Sequence, residues 1–140
     1  MNEEEFIQMD KGGVGDWWYD ARRIMLEREL SSTPLKSGAK ILDLAAACGG
    51  NFDICSQYGK VIGLDISWSS IEYCKKNKNV TLVQANAEIL PFAKESIDIV
   101  VALDVLEHLE DDSCSMREIQ RILKKDTGKL IFNIPAFMAL

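Results

Sequence analysis

The sequence predicts an α/β domain built on a parallel sheet that is covered on both faces. Short, almost entirely apolar runs alternate with segments whose apolar residues recur at helical spacing. Strands this apolar are typical of parallel sheets buried between two helical layers. The 140 residues suffice for one domain with a core of its own.

The elements follow one another in a regular order. The first sixteen residues are acidic and then glycine-rich, and we expect a mobile segment over residues 1–16 before a domain over residues 17–140. The stretch WWYDARRIMLEREL, from Trp17, predicts an amphipathic helix that SSTPLKSG ends. The strands expected after it are Lys40–Leu44, Lys60–Leu64, Val80–Gln84, Ile97–Leu103 and Lys129–Ile134, and the helices are Asn51–Tyr58, a helix capped by Ser67 that runs to Lys76, and Asp112–Leu123.

Composition argues against several classes of function. The net charge of −6 does not suit a nucleic-acid surface, which needs clustered lysine and arginine. No apolar run approaches the roughly 18 residues of a membrane span, and MNEEEF lacks the apolar centre of a signal peptide. Four scattered cysteines indicate reduced thiols in a cytoplasmic protein. With one histidine and no ligand spacing, we expect no metal.

Ligands of open parallel sheets bind beyond the carboxyl ends of the strands, so the residues there are the candidates for function. The first strand runs into the turn of ILDLAAACGGN, which keeps one of the three glycines of a dinucleotide loop, as Gly49. Taken alone, this turn fits a tight strand–helix contact as well as it fits a cofactor loop.

Polar side chains end the next two strands. Asp65 lies 20 residues beyond Ala45, where a carboxylate can accept hydrogen bonds from both hydroxyls of a ribose. It would repel a 2′-phosphate, which argues against NADP. Asn86 follows the third strand, and its amide could pair with an adenine edge. Both residues could instead be ordinary turn or helix-capping residues.

Five segments resemble, in order and spacing, the motifs of class I S-adenosylmethionine-dependent methyltransferases. They are ILDLAAACGGNFD, VIGLDIS, VQANAEILPF, IDIVVALDVLEHLEDD and MREIQRILKKDTGKLIFNIPAF. The earlier WWYDARR is similar to an opening found in a subgroup of that family, so the resemblance covers residues from about 17 to 140. It implies a Rossmann-like three-layer sandwich with strand order 3-2-1-4-5. It also implies methyl transfer from S-adenosylmethionine to an acceptor, with a small molecule, lipid or sugar intermediate favoured and S-adenosylhomocysteine as product.

The resemblance implies a set of cofactor contacts. Asp43 and the turn Ala45–Gly49 would hold the methionine part, Asp65 the ribose, and the pair Leu103–Asp104 the floor under the sulfonium. The whole set is Asp43, Ala45, Ala47, Gly49, Asp65, Ile66, Asn86, Ala87, Leu103, Asp104 and Trp18.

The adenine would pack on Ile66, with Asn86 and Ala87 at its edge. The aromatic residues Trp17–Tyr19 would form part of a lid, and aromatic faces attract a sulfonium cation. His108 would lie near the entrance as the one candidate for a general base. A base is needed only if the acceptor must lose a proton.

Three features depart from the family pattern. Ala45 and Ala47 replace the first two loop glycines, and alanine costs on the order of 1 kcal/mol wherever φ is positive. Asn86 replaces the usual aspartate. The C-terminal hairpin of the family is missing, which would leave LIFNIPAFMAL as an uncovered apolar edge. Because such an edge can pair with another chain, we expect a homodimer or swapped assembly through residues 129–140.

Two other classes stay open. One is a non-catalytic remnant of a methyltransferase that acts as a binding or scaffold module. The other is a Rossmann enzyme that uses NAD. The missing glycines and the DVLEH and LPF segments argue against it.

Arg22 and Arg23 could bind an acidic acceptor, although arginines on a helix surface usually have no such role.

Overall fold

The computed structural model describes residues 3–12 and 17–134. In this part of the chain no helix is long and apolar enough to cross a membrane. The helices are α1 (Glu3–Gly12), α2 (Trp17–Ser31), α3 (Phe52–Ser56), α4 (Trp68–Cys74) and α5 (Asp112–Ile122), with a 3₁₀ turn at Leu106–His108. The strands are β1 (Lys40–Leu44), β2 (Lys60–Asp65), β3 (Thr81–Gln84), β4 (Ile99–Leu103) and β5 (Lys129–Asn133).

The five strands form one sheet in the order β3-β2-β1-β4-β5, and every neighbouring pair is parallel. The predicted order 3-2-1-4-5 is therefore confirmed. All strands end at the same edge of the sheet, where Leu44 lies beside Leu64 and Leu103 lies beside Asn133. The order reverses between β1 and β4, and open sheets bind ligands at such a switch point.

The core lies in two layers, one on each face of the sheet. Leu26 of α2 is fully buried in the first layer, and Ile119 and Ile122 of α5 are fully buried in the second. Neighbouring residues of β1 serve opposite layers, since Ile41 belongs to the first and Leu42 to the second. All five residues of β4 are buried. The prediction of a sheet covered on both faces is confirmed.

The bounds of the predicted elements agree with the structure to within two residues. The strand predicted from Ile97 begins at Ile99, because Ile97 forms an isolated bridge with Leu123 beyond the end of α5. Ser67 caps α4 as predicted, and its hydroxyl accepts a hydrogen bond from the backbone N–H of Ser70. Local sequence patterns therefore predict the bounds of the strands and helices accurately.

Helix α1 lies within residues 1–16, for which the sequence predicts a mobile segment. Phe6 is buried, and its ring stacks on Tyr73 of α4 with centroids 5.0 Å apart. Asp10 accepts hydrogen bonds from Tyr73 Oη at 3.0 Å and from Lys76 Nζ at 2.8 Å. Helix α1 is thus docked on α4. Residues 1, 2 and 13–16 lie outside the described residues, and the domain boundary at residue 17 stays a prediction.

Helix α5 supports the loop that follows β3. Arg121 donates hydrogen bonds to the carbonyl oxygens of Leu90 at 2.9 Å and Phe92 at 2.7 Å. It also pairs with Glu118, which accepts the Leu90 N–H at 2.8 Å. The hydrogen bonds from Arg121 and Leu90 lower the pKa of Glu118 to about 2. This network fixes the segment just beyond Asn86, at the functional edge of the sheet.

Candidate functional site

The turn after β1 has an unusual backbone. Ala45 and Ala47 have φ of 55° and 48°, and Gly49 has φ of 79°. Alanine in this left-handed region costs on the order of 1 kcal/mol per residue, which the surroundings must compensate. Strain of this kind persists where neighbouring groups fix the backbone, and it clusters at ligand sites. The two alanines therefore strain the turn.

Neighbouring elements hold the turn in place. The Ala46 N–H donates to the carbonyl of Leu64 at 2.9 Å, and Cys74 Sγ donates to the carbonyl of Ala47 at 3.3 Å. A Cβ on Gly49 would lie 2.6 Å from ring atoms of Phe52, whose ring also covers Gly63. The turn is thus clamped between β2, α3 and α4.

Asp65 ties the turn to the start of α4. Its Oδ2 accepts the Ala47 N–H at 2.9 Å, and its Oδ1 accepts the Ser67 N–H at 2.8 Å. The side chain is 8% exposed. Each carboxylate oxygen has a second lone pair, so the same group can still accept two further hydrogen bonds. The structural reading of Asp65 as a turn residue holds, and it is compatible with binding a ribose.

A cleft of about 310 Å³ opens beyond the ends of β2 and β3 and beside the segment after β4. This is the lower end of the range for small-molecule sites. Sequence analysis gave a possible role to six of the lining residues: Ala45, Asp65, Ile66, Asn86, Ala87 and His108. Glu88 and Val105 also line the cleft, and they belong to the predicted candidate segments that follow β3 and β4. The four that sequence analysis missed are Leu64, Ala85, Leu109 and Glu110. They lie within the quoted motif segments, where no local pattern distinguishes them from their neighbours.

Three of the lining side chains have clear positions. Ile66 is 67% exposed, so an apolar face is presented to the cleft at the end of β2. Asn86 Oδ1 accepts the Glu88 N–H at 2.9 Å, which is a turn of the kind that the alternative reading describes. The side chain of His108 is 76% exposed and lies 4.0 Å from Glu107.

The remaining predicted residues lie outside the cleft walls. Trp18 is at the start of α2 and is partly exposed, and Leu103 is buried at the end of β4. Ala47 and Gly49 lie deeper in the turn. The structure thus brings the predicted adenine and ribose contacts together in one cleft, and the predicted methionine turn adjoins it through Ala45 and through the hydrogen bond between Ala47 and Asp65.

Asp43 is a buried carboxyl with one unsatisfied oxygen. Its Oδ1 accepts a hydrogen bond from Asn51 Nδ2 at 3.1 Å. Its Oδ2 has no hydrogen-bond partner among residues 3–12 and 17–134. Burial raises the pKa of Asp43 to about 7, although the Asn51 hydrogen bond and the charge of Arg22 oppose the shift. A buried, unsatisfied acceptor of this kind is ready for a cationic donor.

Asp104 follows β4 and is held from two sides. Arg22 Nη1 of α2 donates to its Oδ2, and Asn133 of β5 donates to its Oδ1 at 2.6 Å. Asp104 also has a left-handed backbone, with φ of 53°. Nε of Arg22 is buried and has no hydrogen-bond partner in the described part of the chain. A second unsatisfied group, this time a donor, therefore lies on the same side of the sheet as Asp43.

Helix α2 crosses the turn through its two arginines. Arg23 Nη1 donates to the carbonyl of Gly50 at 3.1 Å, and Arg23 Nη2 donates to Asp53 at 2.9 Å. The guanidinium carbons of Arg22 and Arg23 each lie 5.8 Å from the centroid of the Tyr19 ring. The arginines thus fasten α2 across the carboxyl ends of the strands, a role that a helix-surface pattern does not indicate.

This fold and this site define a Rossmann-like domain built to bind a nucleoside-containing cofactor, with a small-residue turn after β1 and a buried aspartate ending β2. The chain belongs to the family described as Methyltransferase domain, whose model matches residues 42–132. The resemblance to class I methyltransferases is thereby confirmed, and S-adenosylmethionine is the cofactor of that class.

Curated relatives agree with this assignment, and a solved structure shares the fold. The ubiquinone/menaquinone biosynthesis C-methyltransferase of Shewanella frigidimarina is 30% identical over 127 residues, which cover 81% of this chain and 49% of the relative. The demethylmenaquinone methyltransferase of Lactococcus lactis is 38% identical over 98 residues, covering 63% and 39%. The chain thus spans about half of these relatives or less. A methyltransferase from Aquifex aeolicus shares the fold, with a TM-score of 0.68, 20% identity and coverage of 89% and 68%.

Proposed function

We propose that this domain binds S-adenosylmethionine and transfers its methyl group to a small-molecule acceptor. One arrangement carries the proposal: a cleft that contains Asp65 adjoins a strained turn, beyond which lie the buried carboxyl of Asp43 and the buried Nε of the partly exposed Arg22. A nucleoside with an attached amino acid needs these features in this order.

Each part of the cofactor has a partner in this arrangement. The adenine packs on Ile66, and the ribose hydroxyls donate to the free lone pairs of Asp65. The ammonium group of the methionine part donates to Asp43 Oδ2, and its carboxylate accepts from Arg22 Nε. Binding would then satisfy these two unpaired buried atoms, which otherwise destabilise the fold.

The bound cofactor supplies an activated methyl group on a sulfonium. The protein's contribution is to bind, to orient and to exclude water, because displacement at an activated methyl depends mainly on positioning. Helix α2 closes over the turn through Arg22 and Arg23. His108 at the cleft rim is the candidate base for an acceptor that loses a proton.

The acceptor we propose is a small molecule, with a lipid or sugar intermediate included. The names of two relatives, which refer to quinone biosynthesis, support a lipid-like aromatic acceptor as the first to test. The net charge of −6 supports a partner other than nucleic acid. All four cysteines are unpaired thiols, which supports the reducing cytoplasmic location that the sequence predicts. The strained alanines support the alternative of a non-catalytic scaffold.

Calorimetric titration with S-adenosylhomocysteine is expected to give micromolar binding that Asp65→Asn weakens at least about tenfold, or 1.4 kcal/mol. Asparagine keeps one acceptor oxygen but loses the negative charge. In the proposed complex that charge attracts the two ribose hydroxyls and the backbone N–H groups of Ala47 and Ser67. Asp98→Asn is the matched control. Like Asp65, Asp98 is a carboxylate that accepts two hydrogen bonds, here from the backbone N–H of Lys40 and from the ammonium of Lys124. It lies at the opposite end of the strands. No binding by the parent chain at millimolar ligand, or equal affinity for the Asp65 variant, would contradict the proposal.

We also propose a homodimer through the β5 edge. Phe132 and Ile134 are 47% and 52% exposed there, and β5 has a partner on one side only among the described residues. Residues 135–140 of the predicted interface lie outside the described part of the chain. Light scattering is expected to give twice the mass of one chain, and Phe132→Lys is expected to give a monomer. A monomeric parent chain at high concentration would rule the dimer out.

A further inference from the structure

We propose that Asn133, at the end of β5, is a positioning residue that holds Asp104 in its left-handed conformation and so fixes the floor of the methyl-transfer site. The inference rests on the proposed function and on the family resemblance, which implies that Leu103 and Asp104 lie under the sulfonium. Asn133 belongs to the last of the five motif segments, but the sequence assigns it no role.

The amide of Asn133 makes two hydrogen bonds of opposite direction with one residue. Asn133 Oδ1 accepts the backbone N–H of Asp104 at 2.8 Å, and Asn133 Nδ2 donates to Asp104 Oδ1 at 2.6 Å. A side chain must therefore offer an acceptor and a donor on one short stem. Asparagine does so, whereas aspartate offers two acceptors and alanine offers neither.

Asp104 needs this support because its backbone is strained. A φ of 53° is uncommon for a residue with a Cβ, although aspartate tolerates it better than most. Arg22 holds Asp104 Oδ2 from the side of α2, while Asn133 holds Oδ1 and the backbone from the side of β5. Three hydrogen bonds from two elements thus fix the conformation of Asp104. A strained backbone persists at a functional site when its surroundings fix it in this way.

The consequence for the site is that its floor is rigid and that the charge of its carboxylate is balanced. Both carboxylate oxygens of Asp104 accept hydrogen bonds, and the charge is balanced by Arg22. Asp104 is therefore placed to shape the pocket around the methyl group. Loss of the Asn133 amide would release the backbone of Asp104 and shift the surface that faces the sulfonium.

Two ligands that differ only at the sulfonium test this role. S-adenosylmethionine carries the methyl group and the positive charge, and S-adenosylhomocysteine carries neither. Asn133→Asp keeps the size of the side chain but turns an oxygen toward Asp104. We expect this variant to bind S-adenosylmethionine at least about tenfold more weakly and S-adenosylhomocysteine within about threefold of the parent, which a general loss of folding would not produce.

An exchange of the two residues provides the rescue. The double variant Asp104→Asn with Asn133→Asp restores a donor facing an acceptor, and it should recover the parent's ratio of the two affinities to within about threefold. Asn79→Asp is the control for the added charge, since Asn79 is exposed and lies before β3. Asn133→Ala, whose fold is checked by urea unfolding, covers the case in which Asn133→Asp fails to fold.

The results separate this inference from the proposed function. Equal weakening of both ligands, or a double variant no better than the sum of its single changes, would overturn the positioning role while leaving the cofactor site in place. A parent chain that binds neither ligand would overturn both. Selective loss of S-adenosylmethionine with rescue by the exchange is the outcome that supports Asn133 as the positioning residue.

Discussion

Replacement of Asp43 by asparagine is expected to stabilise the unliganded chain at pH 8 and to weaken its binding of S-adenosylhomocysteine. Asp43 is 1% exposed, and burial raises the pKa of its carboxyl from 3.8 to about 7. Asparagine has the same shape and no charge, and its oxygen can still accept the hydrogen bond from Asn51. The substitution therefore removes the cost of ionising a buried group.

The sign of the pH dependence follows from the raised pKa. Below about pH 4 the carboxyl is protonated in both the folded and the unfolded chain, and it makes no difference to stability. As the pH rises to about 7, the unfolded chain releases this proton more readily, so the free energy of unfolding falls. A shift of this size corresponds to about 4 kcal/mol as an upper bound. We expect Asp43→Asn to add on the order of 2 kcal/mol at pH 8 and nothing near pH 4.

Urea unfolding of the parent and the variant across this pH range measures the difference. Asp53→Asn is a suitable control, because Asp53 is on the neighbouring helix, is exposed and pairs with Arg23. Partial burial raises the pKa of Asp53, but the hydrogen bond and charge of Arg23 together with backbone hydrogen bonds outweigh this, so its pKa is lowered. That variant should gain no stability as the pH rises. An Asp43→Asn chain no more stable than the parent at pH 8 would mean that the carboxylate is already compensated.

Ligand binding should depend on pH in the opposite direction. In the proposed site the ammonium group of the ligand needs the ionised form of Asp43. The dissociation constant of the parent should therefore be about tenfold larger at pH 6 than at pH 8, whereas that of Asp43→Asn should be larger overall and independent of pH. Asp43 would then bind the cofactor and would destabilise the fold when no ligand is bound.

The parts of the molecule that local patterns determine could be predicted from the sequence. Apolar runs gave the strands, and strand ends gave the candidate residues, because a parallel sheet collects those ends at one edge. The sequence indicated that Ala45 and Ala47 would be strained wherever φ is positive, and φ is positive at both. Family membership required five motifs in register, since the turn alone also fits an ordinary strand–helix connection.

Contacts between distant parts of the chain could not be predicted in this way. Arg22 and Asp104 are separated by 82 positions, and Asp104 and Asn133 by 29. Nothing in the sequence near Arg22 distinguishes a bridging arginine from a solvated one. The same holds for Phe6, whose burial depends on a tyrosine of α4 and not on its acidic neighbours. Side chains that bridge elements are fixed by packing, so local sequence does not reveal them.

Substitution of Gly49 by alanine is expected to destabilise the chain by about 3 kcal/mol and to abolish cofactor binding. Two effects add at this position. The backbone has φ of +79°, and an added Cβ would lie 2.6 Å from two ring carbons of Phe52. The ring cannot retreat, because Phe52 is 3% exposed and also covers Gly63, where a Cβ would meet it at 2.5 Å. Accommodating the methyl group therefore requires the turn itself to move.

Gly38→Ala separates the two effects. Gly38 has nearly the same φ, +77°, but no atom lies within 4 Å of an added Cβ. Its substitution should cost only the backbone strain, about 1 kcal/mol, and leave ligand affinity unchanged. Urea unfolding of both variants then gives the cost of the Phe52 contact as the difference between them. Equal destabilisation at the two positions would show that Phe52 yields to the methyl group, and the course of the turn would then depend on Asp65 and β2 and not on the aromatic ring that covers it.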